Sequence, residues 1–182
     1  MRRFKPGNFL PSIKLDSVNQ GAISIPSPGV VTHLQFRRFA GCPMCNLHLH
    51  QFKTRAQELI AANIQEVVVF HSTVESLKEF QADTPFAMIA DPTKQLYRQF
   101  AVQESIWAVA HPVALFTAIY AYIKGFRGAP SAEESVQGLP AEFLINEKGE
   151  IIAAHYGRHG SDHWSFDDVL RKAKTMGTVS PT

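Results

Sequence analysis

Residues 30–46 read VVTHLQFRRFAGCPMCN and form the most informative segment of the sequence. Its first part is rich in β-branched and aromatic residues, which favours a strand over Val30 to Phe36. Pro43 suits the first position of a helix, because its missing N–H would be unpaired there in any case. Cys42 then falls at the N-cap, and Cys45 follows one helical turn later. The sequence therefore predicts a Cys-x-x-Cys pair at a strand–helix junction.

This position suits thiol redox chemistry. Unpaired backbone N–H groups and the positive end of the helix dipole lower the pKa of a thiol at a helix N-terminus. We expect Cys42 to be exposed and the more acidic of the two thiols. Cys45 should face the apolar side of the helix, within reach to close a disulfide with Cys42. Two inert, buried cysteines are the plainer alternative.

A zinc site is a further alternative, since His48 and His50 extend the pattern to Cys-x-x-Cys-x-x-His-x-His. Residues two apart point to nearly opposite sides of a helix, so both histidines cannot join the cysteines. Such a site would need a ligand from elsewhere, for example His71 or His111. The spacing of the eight histidines offers no second metal motif.

Outward from the cysteines, strands and helices alternate. Strands are predicted in two short pieces within residues 12–25, and over 67–70, 86–90, 141–145 and 151–156. Helices are predicted after Pro43, from a capping box at residues 72–75 to Phe80, near residues 96–100, and after Ser165. The first helix should bury one face, formed by Cys45, Leu49, Phe52, Ala56, Leu59 and Ile60. This order predicts an α/β layer fold with a mixed sheet.

An insertion over about residues 103–137 separates these elements from the closing hairpin. Its apolar stretch, Ile106 to Ile123, is interrupted at His111-Pro112, and the remainder is shorter than the ~20 residues that a bilayer needs. We expect a helix after Pro112 that buries its apolar face against protein rather than lipid. Aromatic and aliphatic anchors of the kind found in subunit interfaces predict a homodimer; they are Trp107, Phe116, Ile119, Tyr120 and Ile123.

Composition narrows the class of protein. A chain of 182 residues with 45% apolar and 19% charged residues is typical of one globular domain, here residues 1–182, and excludes disorder and coiled coil. The net charge of +2 gives no reason to expect nucleic acid as a partner. No membrane partner is expected. The basic start leads into no apolar run of signal-peptide length, so the expected compartment is the cytoplasm.

The chain resembles the thioredoxin fold and, within it, the peroxiredoxin-like AhpC/TSA proteins. The resemblance lies in Gly41 to Asn46, in Gly138-Leu139-Pro140 before the closing hairpin, and in Tyr156-Gly157-Arg158 with Asp162-His163. It covers about residues 12–175. It implies a central mixed sheet flanked by helices, with an N-terminal strand extension and an apolar helical insertion. It also implies that Pro140 is a cis proline packed against Cys42.

The resemblance departs from the family pattern at the site. Peroxiredoxins carry Pro-x-x-x-(Thr/Ser)-x-x-Cys. Aligned on Cys45, this motif puts Cys42 at the Thr position and Arg38 at the Pro position; aligned on Cys42, it puts Phe39 and Gln35 there. The thioredoxin comparison names Cys42 as the attacking thiol and the peroxiredoxin comparison names Cys45, so both assignments stay open.

The function implied is that of a thiol-dependent antioxidant oxidoreductase. It would reduce peroxides or disulfides through a Cys42/Cys45 dithiol–disulfide cycle, with Pro140 as the third site residue, and a cellular dithiol would reopen the disulfide. No organic cofactor and no metal is implied. The alternatives are a protein disulfide reductase without peroxidase activity, and a non-catalytic thioredoxin-fold module with residues 106–123 as its partner surface.

Several charged residues are weaker candidates. At most one of Arg37 and Arg38 should point at the site, since strand neighbours point to opposite faces. Glu142 is either a proton relay or a surface residue of an edge strand. His111 is a candidate from the insertion. Surface positions or a helix cap are expected for Arg158, His159 and His163.

Overall fold

The computed structural model describes residues 2–81 and 83–177. The strands in chain order are β1 (Ile13–Ser17), β2 (Gly21–Ile25), β3 (Val31–Phe36), β4 (Ile64–Phe70), β5 (Ala87–Ala90), β6 (Ala141–Ile145) and β7 (Ile151–Tyr156). The helices are α1 (Pro43–Thr54), α2 (Ala56–Ala61), α3 (Val74–Gln81), α4 (Gln95–Gln99), α5 (Trp107–Ala110), α6 (Pro112–Ile123) and α7 (Phe166–Gly177).

The centre of the molecule is a five-stranded mixed sheet with the strand order β5-β4-β3-β6-β7. β3, β4 and β5 are parallel, because α1 with α2, and then α3, connect them, whereas β6 and β7 form an antiparallel hairpin. β1 and β2 form a separate two-stranded hairpin. The predicted α/β class, the thioredoxin-like mixed sheet and the N-terminal strand extension are confirmed.

Apolar side chains fill both faces of the sheet. On one face, Leu49 of α1 and Val169 of α7 belong to the same buried cluster as Val68 of β4. On the other, Tyr97 of α4 packs with Leu34 of β3. α1 begins at Pro43 as predicted and continues the buried strand β3, which places Cys42 and Cys45 at the carboxyl end of a central strand.

The predicted buried face of the first helix extends too far. Leu49, Phe52 and Leu59 are buried, but Ile60 is 63% exposed. The reason is a break at Arg55, whose backbone leaves the helical region (φ −113°, ψ 21°) and separates α1 from α2. Residues beyond the break no longer follow the periodicity of α1.

The insertion contains the predicted helix after Pro112, but its apolar side is largely uncovered. Ala114 and Ala121 of α6 are buried, whereas Phe116 and Ile123 are 73% and 74% exposed. The expectation that the helix buries its apolar face against protein is therefore wrong within the single chain. The small residues of α6, not the large ones, face the domain. Across residues 2–81 and 83–177, the structure contains no helix of a length and apolarity that would cross a membrane.

Candidate active site

The loop before α1 is held by side-chain hydrogen bonds to Ala40. The side-chain amides of Asn46 and Gln81 donate to the Ala40 carbonyl oxygen at 3.1 and 3.0 Å. The Ala40 N–H donates to Ser72 Oγ at 2.8 Å. These contacts satisfy the backbone polar groups of a fully buried residue. They fix the start of α1, and with it the position of Cys42.

Cys42 is the N-cap residue of α1, as predicted. Its Sγ accepts a hydrogen bond from the backbone N–H of Cys45 at 3.4 Å. It accepts a second from Arg38 Nη2 at 2.9 Å. Arg38 also donates through Nη1 to the Val136 carbonyl oxygen at 3.1 Å, so the guanidinium joins the dithiol to the loop after α6. One of the two adjacent arginines therefore points at the sulfurs, as expected.

The electrostatics separate the two thiols. Burial raises the pKa of Cys45, but the hydrogen bond from Cys42 and the charges of Arg38 and Arg37 bring that pKa well below its usual value. For Cys42, burial, the hydrogen bond to Cys45 and the charge on Cys45 raise the pKa well above its usual value, and Arg38 opposes this only in part. The arrangement favours one thiolate on Cys45 and one proton on Cys42.

The expectation that Cys42 is exposed is wrong, and the direction of the pKa shifts favours Cys45 rather than Cys42 as the more acidic thiol. Cys42 is 0% exposed and Cys45 is 1% exposed. Both belong to an apolar cluster with Met44 and with Ala114 of α6. The physical reason is the insertion, because α6 packs across the start of α1 and covers the helix N-terminus that would otherwise face solvent.

Two glycines allow the insertion to approach this closely. An added Cβ at Gly128 would lie 2.2 Å from the Gly41 carbonyl oxygen, directly before the cysteine pair. At Gly160 it would lie 2.3 Å from the Ala108 carbonyl oxygen, which accepts a hydrogen bond from the Gly160 N–H at 2.9 Å. Neither position has room for a side chain. The insertion therefore packs closely at two contacts, Gly128 against Gly41 and Ala108 against Gly160.

Arg37 points away from the sulfurs into a buried polar cluster. Its Nη2 donates to Glu142 Oε1 at 2.7 Å, and both side chains are 0% exposed. The other Glu142 oxygen accepts the Trp164 N–H at 2.6 Å, and Arg37 Nη1 donates to His163 Nδ1. The expectation of an edge-strand surface position for Glu142 is wrong, because β7 pairs with the outer side of β6.

His48 and His163 complete this cluster as neutral rings. Their centroids are 4.5 Å apart, and His48 Nε2 lies 3.9 Å from Glu142 Oε1. Burial lowers the pKa of both, and the charge of Arg37 adds to this effect. The surface position expected for His163 is therefore wrong. His48 lies one helical turn after Cys45, so the cluster and the dithiol lie on adjoining parts of α1.

Sequence reasoning missed this cluster, although a signal existed. Along β3 and the residue after it, polar His33, Gln35 and Arg37 alternate with apolar Leu34 and Phe36. Such alternation normally indicates a strand with one solvated face. Here α1 and α7 cover that face, and partners on β4 and β6 compensate the buried polar groups. The nearness of His48, Glu142 and His163 needs the sheet order, which no local pattern provides.

Pro140 does not have the predicted backbone geometry. Within the described residues the cis peptide bond is Ile25–Pro26, and Leu139–Pro140 is trans. Two backbone hydrogen bonds hold this segment: the Leu139 N–H donates to the Gln103 carbonyl oxygen, and the Pro140 carbonyl oxygen accepts from the Gly157 N–H. The prediction of a cis Pro140 is therefore wrong. Its role as a site residue stays a prediction.

Of the remaining candidates, the structure brings His111 and His159 into contact. His111 caps α6 and stacks on His159 at 4.2 Å, while His71 packs on the Tyr97 ring at 5.7 Å. His50 is exposed, and the Arg158 side chain is 91% exposed. No group of three or more His, Cys, Asp or Glu side chains suited to a metal ion occurs within residues 2–81 and 83–177.

The fold and the site define a class: a thioredoxin-like α/β protein that holds a buried dithiol beside an arginine, as thiol-dependent redox proteins do. The sequence profile described as "AhpC/TSA antioxidant enzyme" matches residues 49–159, well over half of the chain. The chain therefore belongs to the AhpC/TSA antioxidant enzyme family. The matched span begins after Cys45, so the assignment rests on the rest of the domain.

Solved structures agree with this assignment at the level of the fold. A cysteine-to-serine mutant of PrxQ from Xylella fastidiosa has a TM-score of 0.69 and 15% identity, covering 96% of this chain and 98% of that chain. Peroxiredoxin 6 of Arenicola marina has a TM-score of 0.69 and 13% identity, covering 92% and 71%. A protein assigned as the thiol:disulfide interchange protein DsbE from Chlorobium tepidum has a TM-score of 0.61 and 18% identity, covering 96% and 99%. A comparison with curated sequences gave no match.

Proposed function

We propose that this chain reduces peroxides through a Cys42/Cys45 dithiol–disulfide cycle. The observation that carries the proposal is the hydrogen-bonded cluster at the start of α1, in which Arg38 Nη2 lies 2.9 Å from Cys42 Sγ. A cation held beside a buried dithiol stabilises one thiolate, which is the reactive form of cysteine. Membership of an antioxidant enzyme family supports a peroxide as the substrate.

Cys45 is the proposed attacking thiol, because its pKa is the one that the surroundings lower. Its thiolate forms a bond to one peroxide oxygen while the O–O bond breaks. Cys45 becomes a sulfenic acid, and the departing alkoxide or hydroxide takes a proton from solvent. Cys42 then loses its proton and attacks the Cys45 sulfur, and the hydroxyl leaves with that proton as water. The dithiol loses two electrons, and the peroxide gains them.

A dithiol reductant completes the cycle by thiol–disulfide exchange. A location in the cytoplasm, where thiols are kept reduced, is part of this proposal. The reaction also needs a change around the sulfurs, because both are at most 1% exposed. The residue of the insertion packed most deeply against them is Ala114, so α6 is the segment whose displacement would admit a substrate.

A second candidate is disulfide exchange without peroxidase activity. It is favoured by the residues before Cys45, where Arg38 and Cys42 stand at the positions that carry Pro and Thr in peroxiredoxins. In that reaction the Cys45 thiolate attacks a substrate disulfide and forms a mixed disulfide. Cys42 then resolves it, which releases the substrate as thiols and leaves the Cys42–Cys45 disulfide.

The two activities are separable in one set of measurements on the reduced protein. Stopped-flow mixing with hydrogen peroxide or an alkyl hydroperoxide should show rapid oxidation, and mass spectrometry should show the loss of two hydrogens without a dimer. Insulin reduction in the presence of a dithiol reports disulfide exchange. Rapid insulin reduction without peroxide oxidation would favour the second candidate. Absence of both would favour a non-catalytic binding module.

The assignment of roles is testable with Cys42→Ser and Cys42→Ala. Serine keeps a hydroxyl that donates a hydrogen bond to the Cys45 thiolate, and alanine does not. We expect the pKa of Cys45, from iodoacetamide labelling against pH, to be about one unit lower in the serine variant. In Cys45→Ser, labelling of Cys42 should begin at a higher pH than labelling of Cys45 in Cys42→Ser. The reverse order would make Cys42 the attacking thiol.

A further inference from the structure

The insertion presents a continuous apolar surface to solvent. We define the insertion face by six side chains of α5 and α6, each at least half exposed: Trp107, Val113, Phe116, Ile119, Tyr120 and Ile123. Five of them lie on one side of a single 12-residue helix, opposite the buried Ala114 and Ala121. Monomeric soluble domains rarely leave this many large apolar side chains together in water, so the surface indicates a binding partner.

The charged residues within the insertion helices and the turn after α6 have one sign. The 28 residues from Ser105 to Ala132 contain no acidic residue, and their charged residues are Lys124 and Arg127, directly after α6. The opposite end of the helix begins at His111, which stacks on His159 at 4.2 Å. Arg158 adjoins that stack, with its side chain 91% exposed and its Nε 3.7 Å from Asp162 Oδ2. The cations of the insertion are therefore concentrated at the Lys124 end of the apolar surface.

We propose that the insertion face docks on an anionic lipid surface. An apolar helix face with cationic residues beside it is the composition of helices that lie in the membrane interface, where the apolar side enters the acyl boundary and the cations meet lipid phosphates. α6 would span only about 18 Å along its axis. That length suits a helix lying parallel to the surface.

The aromatic residues beside the cations fit the same partner. Lys124 Nζ lies 5.5 Å from the Tyr120 ring, and Arg127 Cζ lies 4.8 Å from the Tyr122 ring. Tyrosine and tryptophan favour the headgroup level of a membrane, because one end of the ring system is apolar and the other is polar. Trp107 at the start of α5 and the tyrosines near the end of α6 would anchor both ends of the insertion at that level.

A second copy of the chain fits this surface less well. In a two-fold contact through α6, parallel helices bring the Lys124 and Arg127 ends together, and antiparallel helices bring them towards Arg158 of the other copy. The parallel arrangement sets cation against cation, and in the antiparallel arrangement the nearby carboxylate of Asp162 is already paired with His155 and Arg158. No carboxylate in residues 105–132 is available to compensate, and such repulsion disfavours association. An anionic lipid surface compensates all of these charges at once.

Docking would also place the dithiol at the lipid surface, because the inner side of α6 covers the two cysteines.

The proposal does not depend on the redox reaction, and its test needs no turnover. Flotation of the full chain with phosphatidylcholine vesicles that contain phosphatidylglycerol should show binding. Binding should be weaker with phosphatidylcholine alone and should fall with added salt.

The double variant Phe116→Glu/Ile123→Glu should weaken this binding about tenfold or more, since both side chains are apolar contacts of the proposed interface. The matched control is Ile60→Glu on α2, which changes an apolar residue outside the insertion that is 63% exposed and should leave binding unchanged. Circular dichroism should show the same fold for all three proteins, because each altered side chain is mostly exposed.

Tryptophan emission gives an independent measurement. Vesicles should shift the emission of the native chain to shorter wavelength, and Trp107→Phe should remove the shift. Failure of the native chain to bind anionic vesicles would overturn the proposal. Equal loss of binding in Ile60→Glu would also overturn it. A dimer in sedimentation equilibrium that Phe116→Glu/Ile123→Glu dissociates, without vesicle binding, would assign the face to a second copy.

Discussion

β3 and α6 depart from the usual distribution of polar and apolar side chains in opposite directions. His33 and Gln35 of β3, and Arg37 directly after it, are polar residues that are 0% exposed. On α6, the apolar residues Phe116 and Ile123 are more than 70% exposed. Both segments are regular, and each has the periodicity of its element. The pattern therefore defines the two faces of an element, but it does not determine whether another segment covers a face.

These two unusual regions lie on opposite sides of the start of α1. The polar cluster around Arg37 lies beneath α1, and α6 covers the start of α1 from outside, with the dithiol between them. Proteins tend to break local folding rules where a site requires it. Variants in either region should show how much that region contributes to stability and to access to the dithiol.

Arg37→Met should have the largest effect. It removes the cation that pairs with Glu142 and leaves a carboxylate buried beside the Trp164 N–H. Breaking a buried ion pair by removing one partner costs about 3–5 kcal/mol. We expect a fall of that size in the free energy of unfolding, measured by urea denaturation of the reduced protein.

Arg158→Met is the matched control, because it removes an arginine whose side chain is 91% exposed. It should change the free energy of unfolding by no more than about 0.5 kcal/mol. A similar loss in both variants would mean that net charge, rather than the buried pair, determines the effect. A loss in neither would mean that water reaches Glu142 in solution.

Ala114→Leu tests whether α6 controls access to the dithiol. Ala114 is 0% exposed and packs with Met44 and the two cysteines. Added methylenes in a filled core cost about 1–3 kcal/mol. We expect a loss of that size together with faster alkylation of the dithiol, because the larger side chain pushes α6 away from α1.

Ala110→Leu makes the same change at an exposed position of the insertion and should alter neither quantity. Unchanged alkylation in Ala114→Leu, with full loss of stability, would mean that α6 does not control access to the sulfurs. Substrate would then have to enter from another side.

The sequence predicts most of the local structure. Alternation and turn residues predicted the strands, and Pro43 predicted the start of α1 with Cys42 as its N-cap. Ile60 was placed wrongly because Arg55 breaks the helix without a proline or glycine to mark it. At the break, Arg55 pairs with Asp167 of α7 at 2.8 Å, a tertiary contact that no local pattern predicts.

The sequence does not predict which residues surround the dithiol. Arg37 is 105 positions from Glu142 and 126 from His163, so their contacts depend on the sheet order. Ala114 likewise comes from an insertion outside the α/β core. The exposure of Cys42 is mispredicted for this reason. Its pKa is raised by the same burial together with the hydrogen bond to Cys45 and the charge on Cys45.

His163→Gln should change how stability depends on pH. Burial lowers the pKa of His163, and the charge of Arg37 adds to this, so the folded chain keeps the ring neutral where the unfolded chain protonates it below about pH 6.5. The unfolded state then binds more protons, and stability falls on acidification. Each such histidine contributes a slope of up to about 1.4 kcal/mol per pH unit.

Glutamine still accepts a hydrogen bond from Arg37 but does not titrate, so the variant should lose less stability than the native chain between pH 6 and pH 5, values set by the histidine range. His50→Gln, at an exposed position, should keep the native slope. Equal slopes in all three proteins would show that His163 is not held neutral, which would remove the electrostatic account of the polar cluster.

Phe116→Ser should have the smallest effect, and its size decides what the isolated chain does with the insertion face. Phe116 is 73% exposed, whereas Phe52 is fully buried between α1 and the sheet. Truncating a buried phenylalanine costs about 3–5 kcal/mol, so Phe52→Ala is the positive control. Phe116→Ser should change the free energy of unfolding by less than about 0.5 kcal/mol at every protein concentration. A larger loss that grows with concentration would mean that a second copy covers the face. A larger loss without concentration dependence would mean that the chain itself covers Phe116. The apolar face of α6 would then be buried like the polar face of β3, and the contrast between them would not hold.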